Sequence, residues 1–355
     1  MRFFVPVIAI AAIFTTACRP ADAPTRNSEK HGGTLRVNIS DIPHTVFPGQ
    51  VEKRSEQILV NQVYAGLVKY NQRTLEIMPS IAKNYTISPD ECTYTFVLNT
   101  RARFQDDRCF KHKKGRRIVA ADVKYSIEQI CRNKLADEVV ISRQVMNIVG
   151  ADSFMPEAKN SDSVDISGIV AHNDSVLTIR LKQPDKLFIY FLAGTNALVF
   201  AREAYNTYGV NGTVGSGAYC FRYPKIIGQS ITLSYNPNYW GVSDQNELLP
   251  YLDTITMSFI TSTQKELYML GAGLVDVVFD LPSNHLSEFL ESHISDFQSD
   301  PPRLVMTNTM KPDGERRFNL MTANINGMHF NSQGYFDFSN VYLKQLEPMG
   351  IAQDK

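Results

Sequence analysis

The stretch VGSGAYCFRYPKIIGQSITLSYNPNYWG, Val214 to Gly241, decides how the fold is read. Gly215 and Gly217 admit backbone paths that a Cβ would resist. Tyr219 and Phe221 alternate with Ala218 and Cys220, the period of a half-buried strand. Ile227-Gly228 fits a hairpin turn, and Ile231, Leu233 and Tyr235 make the apolar face of a return strand. Asn236-Pro237-Asn238 ends that strand, because proline donates nothing to a ladder. Tyr239 and Trp240, the chain's single tryptophan, close the ribbon. Gly215-Ser216-Gly217 is not the nucleophile elbow GxSxG, so Ser216 reads as a turn residue. A ribbon so poor in reactive groups is scaffold, with Tyr239 and Trp240 locking its end.

Outward from the ribbon the chain alternates strands and helices. On its carboxyl side, TITMSFI places Ile255, Met257 and Phe259 on one face. Thr263 opens a T-Q-K-E capping box that reaches Glu266. A helix to about Gly271 follows, then a buried strand over Leu274–Phe279. Strand, helix, strand implies a right-handed crossover and a parallel pair. A further strand is expected near Met328–Phe330, and VYLKQLEPMG reads as the start of a helix. On the amino side, GTLRVNI alternates through Leu35, Val37 and Ile39. The loop DIPHTVFPG, Asp41 to Gly49, leaves that strand's carboxyl end, where sheets with parallel strands favour ligands. A helix is expected over Ser55–Leu67, a strand in ECTYTFVLN, a helix through Val123, Ile127 and Ile130 with Asp122 near its start, and a strand in SVLTIRLKQP.

The bulk properties exclude several classes. With 355 residues, 43 % of them apolar, the chain has enough material for more than one domain. Lys plus Arg and Asp plus Glu balance at 36 each, so no global field attracts nucleic acid. The seven histidines form neither HxH nor HExxH, and no phosphate loop occurs. No metal site, cofactor or catalytic residue is signalled. Asp106-Asp107 are adjacent and point apart, and KHKKGRR, Lys111 to Arg117, reads as a solvated basic loop.

The first residues carry a targeting pattern. Arg2 precedes an apolar run, Phe3 to Phe14, too short to span a bilayer, and small residues lead to Cys18. This is an export signal ending at a lipoprotein-type cysteine, with Thr15 where a large aliphatic residue is usual. Lipidation of Cys18 is expected, plain secretion being the alternative. Residues 19–32, polar and Pro-containing, would be a flexible tether to the membrane. Four cysteines remain of the five, and four allow three pairings.

An ordered set of segments resembles one family. These are GGTLRV (Gly32 to Val37), QVYAGLVKYNQRTLEIMPSIAKNYTISPDECTYTFVLNTRARFQDD (Gln62 to Asp107), AADVKYSIEQI (Ala120 to Ile130), VGSGAYCF with LSYNPNYWG, LPYLDTITMSFI, and GAGLVDVVFDLP. Together they resemble the extracytoplasmic solute-binding proteins of ABC importers, in the group (family 5) that binds oligopeptides, dipeptides or nickel. The similarity runs from about Gly32 to Leu346, with Tyr85 where the family usually has tryptophan and a longer, more basic loop between Asp107 and Gly115. It implies a mixed α/β clam-shell of the periplasmic-binding-protein kind. Lobe I would combine 33–60 with 193–290, an inserted subdomain would span 61–192, and 291–355 would begin a second lobe, largely missing here. The acidic residue that holds a peptide's amino group in that lobe has no counterpart to carry over.

The resemblance implies binding without reaction. Two lobes would close on a peptide or other small solute and present it to a membrane permease. The ligand contacts expected are Ser40, Asp41, Ile42 and His44 on the loop after the first strand, and Gly194, Thr195 and Asn196 near the hinge. A rival reading is a lobe that no longer binds solute and persists as a surface interaction lipoprotein.

Overall fold

The structure is a computed structural model that describes residues 26, 28–132, 139–152, 165–222, 230–283, 286–310, 316–331 and 335–344. The expected export signal, Cys18, the first part of the expected tether and the expected turn at Ile227-Gly228 lie outside them. Among the described residues no helix is long and apolar enough to cross a membrane.

Two sheets organise the chain. The larger has the strand order β12-β13-β11-β1-β10-β9-β8. Its members are β1 (Thr34–Asn38), β8 (Tyr219–Phe221), β9 (Ser230–Tyr235), β10 (Thr254–Ser258), β11 (Val277–Pro282), β12 (Leu304–Met310) and β13 (Arg316–Thr322). The smaller is antiparallel, β4-β5-β7-β6, from β4 (Ala82–Ile87), β5 (Thr93–Leu98), β6 (Ile169–Asn173) and β7 (Val176–Arg180). A two-stranded pair, β2 (Val68–Tyr70) with β3 (Ile77–Pro79), stands beside it. The alternation read in the sequence is the alternation of burial: Leu35 and Val37 in β1, Tyr94, Phe96 and Leu98 in β5, and Ile255 and Met257 in β10 are buried. Each such side chain removed from water contributes about 1.5–3 kcal/mol.

The crossover from β10 through the helix Thr263–Gly271 to β11 differs from expectation. β10 and β11 do not pair; both run parallel to β1, which lies between them. Leu35 and Val37 bury one face of this central strand completely, while Thr34 is exposed and Arg36 half-buried on the other. The strand spanning the amino end of the described body thus completes a parallel core from three distant stretches.

Other segments also depart from the sequence reading. The helix α1 (Arg54–Val63) stops before Leu67, because Ala65 bridges to Val199 and the chain passes into β2. Thr263 is not the cap; Ser262 is, its Oγ accepting from Lys265 N, and Glu266 turns inward instead of closing a box. Met328–Phe330 is not a strand. Ile325–Asn326 (β14) pairs with Tyr342–Leu343 (β15), where a helix was expected, and Tyr342 sets its ring against Tyr251. β12 and β13, in the stretch expected to open a second lobe, extend the large sheet. The end of the expected tether is held down: Arg26 and Lys30 pair with Asp253 and Glu247, and His31 Nε2 lies 2.8 Å from Leu248 O. Cys92, Cys109 and Cys220 are free thiols.

The opening ribbon does brace two bodies. A Cβ on Gly215 would stand 2.1 Å from Val63 O, and one on Gly217 2.3 Å from Gln62 O, so both glycines let the ribbon press on the end of α1. Gln105 of the smaller body donates through Nε2 to Thr213 O at 3.1 Å and through its backbone N to Gly215 O. Asn238 Nδ2 donates to Phe104 O and Asp106 Oδ1. Trp240 is buried in the core that lies under the small sheet, its ring 5.2 Å from that of Tyr239. A second strap, Tyr335–Val341, closes the same junction. Gln62 grips it by donating to Phe336 O and accepting from Phe338 N, and Lys69 of β2 pairs with Asp337 at 2.7 Å.

Candidate ligand-binding rim

The parallel strands β1, β10 and β11 end on one edge of the large sheet, and the loops that leave them form a rim. Asn38, the last residue of β1, is fully buried and staples two of these ends. Its Nδ2 donates to Ile260 O at 3.0 Å and to Glu266 Oε1 at 2.8 Å, while its Oδ1 accepts from Ile260 N at 2.9 Å. Burial pushes the Glu266 carboxyl up to about 7, the Asn38 hydrogen bond pulling the other way.

The loop after β1 is held from behind by one carboxylate. Glu56, in the first turn of α1, accepts from His44 N and Thr45 N on Oε1 at 2.8 and 3.3 Å. Its Oε2 accepts from Glu52 N and Lys53 N at 2.9 and 3.0 Å. Burial acts to raise the Glu56 carboxyl, yet these four N–H donors outweigh it and hold it below the usual range. A carboxylate so placed fixes the loop while its tip stays free. Ser40, Asp41 and Ile42 are exposed, and they make no backbone hydrogen bond among the described residues. Ile42 is 53 % exposed, a large apolar side chain offered to solvent. The tip therefore bends at Ser40 and Asp41 and, among the described residues, presents N–H and C=O groups without backbone partners on a fixed base.

His44 turns aside from the tip. Its Nε2 lies 2.7 Å from Lys53 Nζ, at a recess of about 250 Å³ shared with Val210 and Phe221. Gly194, Thr195 and Asn196 are half-buried, and the turn over Thr195–Ala197 packs against the turn over Pro48–Gln50 at the far end of the same loop. Asn196 Oδ1 is buried with no partner among the described residues. The two expected groups thus meet through these turns, but 194–196 stand behind the loop and do not line the recess at His44. Glu56 and Asn38 were missed by sequence reasoning. The K-x-x-E spacing of Lys53 and Glu56 was the available signal for the first; nothing local marked the second.

β11 adds a charged feature to the rim. Asp280 sits on a bulge with φ 57°, a left-handed backbone unusual for a residue with a Cβ, and forms an ion pair with Arg54 at the start of α1. Burial lowers the Arg54 pKa from its ordinary value.

Comparison with known proteins settles the family. The model of bacterial extracellular solute-binding proteins, family 5, matches residues 76–320. The chain belongs to that family. Among family 5 relatives, the oligopeptide-binding protein OppA of Bacillus subtilis is 25 % identical over 283 residues, covering 76 % of this chain and 48 % of its own. A dipeptide-binding protein of Lactococcus lactis is 22 % identical over 246 residues, covering 67 % and 41 %. The fold is shared with the murein tripeptide-binding protein MppA of Escherichia coli (TM-score 0.62, 20 % identity, 81 % of this chain and 52 % of that one). It is shared too with OppA of Haemophilus influenzae (TM-score 0.63, 18 % identity, 80 % and 51 %). The mixed α/β architecture is accordingly that of periplasmic binding proteins. The chain spans about half the length of the curated relatives it matches.

Proposed function

We propose that this family 5 chain is the solute-gripping part of an ABC import system, with a peptide as the preferred solute class. One observation carries the reading. The tip Ser40–Ile42 is exposed, has no backbone partner among the described residues, and belongs to a loop held by Glu56 at the carboxyl ends of three parallel strands. An extended peptide pairs with such a segment as an added strand does, through main-chain groups, which leaves side-chain selectivity loose. His44 and the Gly194–Asn196 turn support the loop at its two ends. The large sheet, with β12 and β13, acts as one lobe, and residues 61–192 form the body inserted into it. Closure on solute presents a surface to a membrane permease. The protein works outside the cytoplasm, anchored through a lipid on Cys18. The relatives' names point the same way, since they bind oligopeptides, dipeptides and glutathione.

Titration calorimetry of the full chain with a mixed tripeptide pool tests the reading. Saturable heat with one site per chain is expected. No heat at any peptide concentration up to the millimolar range would overturn it.

A further inference from the structure

Arg54 and Asp280 carry more than a structural ion pair needs. Arg54 and Lys53 are two cations at the amino end of α1, where the helix dipole favours anions. Among the described residues the Arg54 Nε is buried without an acceptor, although the guanidinium meets Asp280 through Nη1. Asn319, 1 % exposed on neighbouring β13, accepts from Asp280 N through Oδ1 at 3.2 Å, and its buried Nδ2 has no partner among the described residues. Arg317 donates to Asp280 O. Buried donors of this kind cost free energy until an acceptor arrives. One carboxylate, itself held on a strained left-handed bulge, thus serves a site richer in donors than in acceptors.

The position matters as much as the charge. Asp280 lies two residues past Val278, which pairs with Asn38 at the end of β1. The ion pair therefore sits beside the strand end from which the Ser40–Ile42 tip departs. Its floor is aromatic: Phe279 and Phe336 are 4.9 Å apart between centroids, Phe330 packs against both, and the Arg54 guanidinium lies 5.6 Å from the Phe336 centroid. A planar guanidinium over a ring, with a fork of donors, suits a carboxylate.

We propose that Arg54 is a specificity residue that takes a carboxylate of the bound solute, exchanging Asp280 for it. This rests on the reading of the rim as a solute site. Asp280 is then a resident stand-in, displaced when solute arrives, and the ligand carboxylate is either a peptide's free C-terminus or an acidic side chain. The exchange is a competition, so neutralising Asp280 strengthens binding while removing Arg54 weakens it.

Calorimetry of the full chain separates the outcomes. The probes are a mixed pool of tripeptides as free acids, the same pool as C-terminal amides, and an amide pool with glutamate at the middle position. Binding of the free acids about 10- to 100-fold tighter than the neutral amides is expected, the range of a charge-assisted contact. If the glutamate pool recovers that preference, a side chain is also accepted; if not, the terminus is the ligand group. Asp280→Asn should tighten free-acid binding several-fold, and Arg54→Ala should abolish the acid-over-amide preference. Asp280→Asn keeps the side-chain shape and guards against a merely misfolded Arg54 variant. Equal affinity for free acids and all amides, or an Arg54→Ala protein that keeps the preference, overturns the inference and leaves the rim as a solute site. Absence of heat from every pool overturns the reading of the rim, and the inference with it.

Discussion

Replacing Glu266 by glutamine should change the pH dependence of stability in one direction only. Glu266 is 3 % exposed, and burial lifts its carboxyl from 4.5 to about 7. The folded-state value lies above the unfolded one, so folding favours the protonated form. The stabilisation this gives is full below pH 4.5 and is lost as pH rises through about 7. Between pH 5 and pH 8 the wild type should therefore lose roughly 2–3 kcal/mol through this one group. Glutamine keeps an oxygen for Asn38 Nδ2, now 2.8 Å from Glu266 Oε1, and cannot ionise. Urea unfolding of both proteins at the two pH values gives the double difference, in which every other titrating group cancels. Glu266→Gln should be more stable relative to wild type at pH 8 than at pH 5 by that amount. A double difference below about 0.5 kcal/mol, within the uncertainty of extrapolation, would refute the buried-carboxyl argument. So would one of opposite sign.

Two further outcomes follow from the junction between the bodies. Gly217→Val puts a branched side chain against Gln62 O, where a single Cβ would already stand at 2.3 Å, and should cost about 2 kcal/mol or more in urea unfolding; an unchanged midpoint would mean the ribbon does not press on α1. Lys69→Met alone strands Asp337, a side chain 16 % exposed, and should destabilise by about 3 kcal/mol, whereas Lys69→Met with Asp337→Leu should recover most of that. Equal losses in the single and double variants would refute the argument that a stranded Asp337 charge causes the loss.

The sequence was most legible where periodicity and burial coincide. Leu35 and Val37, Tyr94 and Phe96, and Ile255 and Met257 alternate because each strand has its core on defined sides. Family resemblance located the same strands. What local pattern does not encode is which strand lies beside which. The parallel core needed β1 between β10 and β11, over 200 residues apart in register, as in Leu35 with Ile255. The same limit hid the rim. Thr263-x-x-Glu266 looks like a cap, and only tertiary structure turns Glu266 toward Asn38. Asp280 reads as an ordinary polar residue in an apolar run until the bulge brings it to Arg54. Tyr342 begins a stretch with helical spacing, yet pairing with Asn326 and the ring of Tyr251 draws it into a strand.

Hydrogen exchange of the full chain, with and without a saturating mixed tripeptide pool, reads whether the loop after β1 takes the solute. Amides of Ser40, Asp41 and Ile42, which have no backbone acceptor among the described residues, should become protected when peptide is present, while the edge strand β6 stays unchanged. Bound peptide with no slowing across residues 40–42 would contradict it.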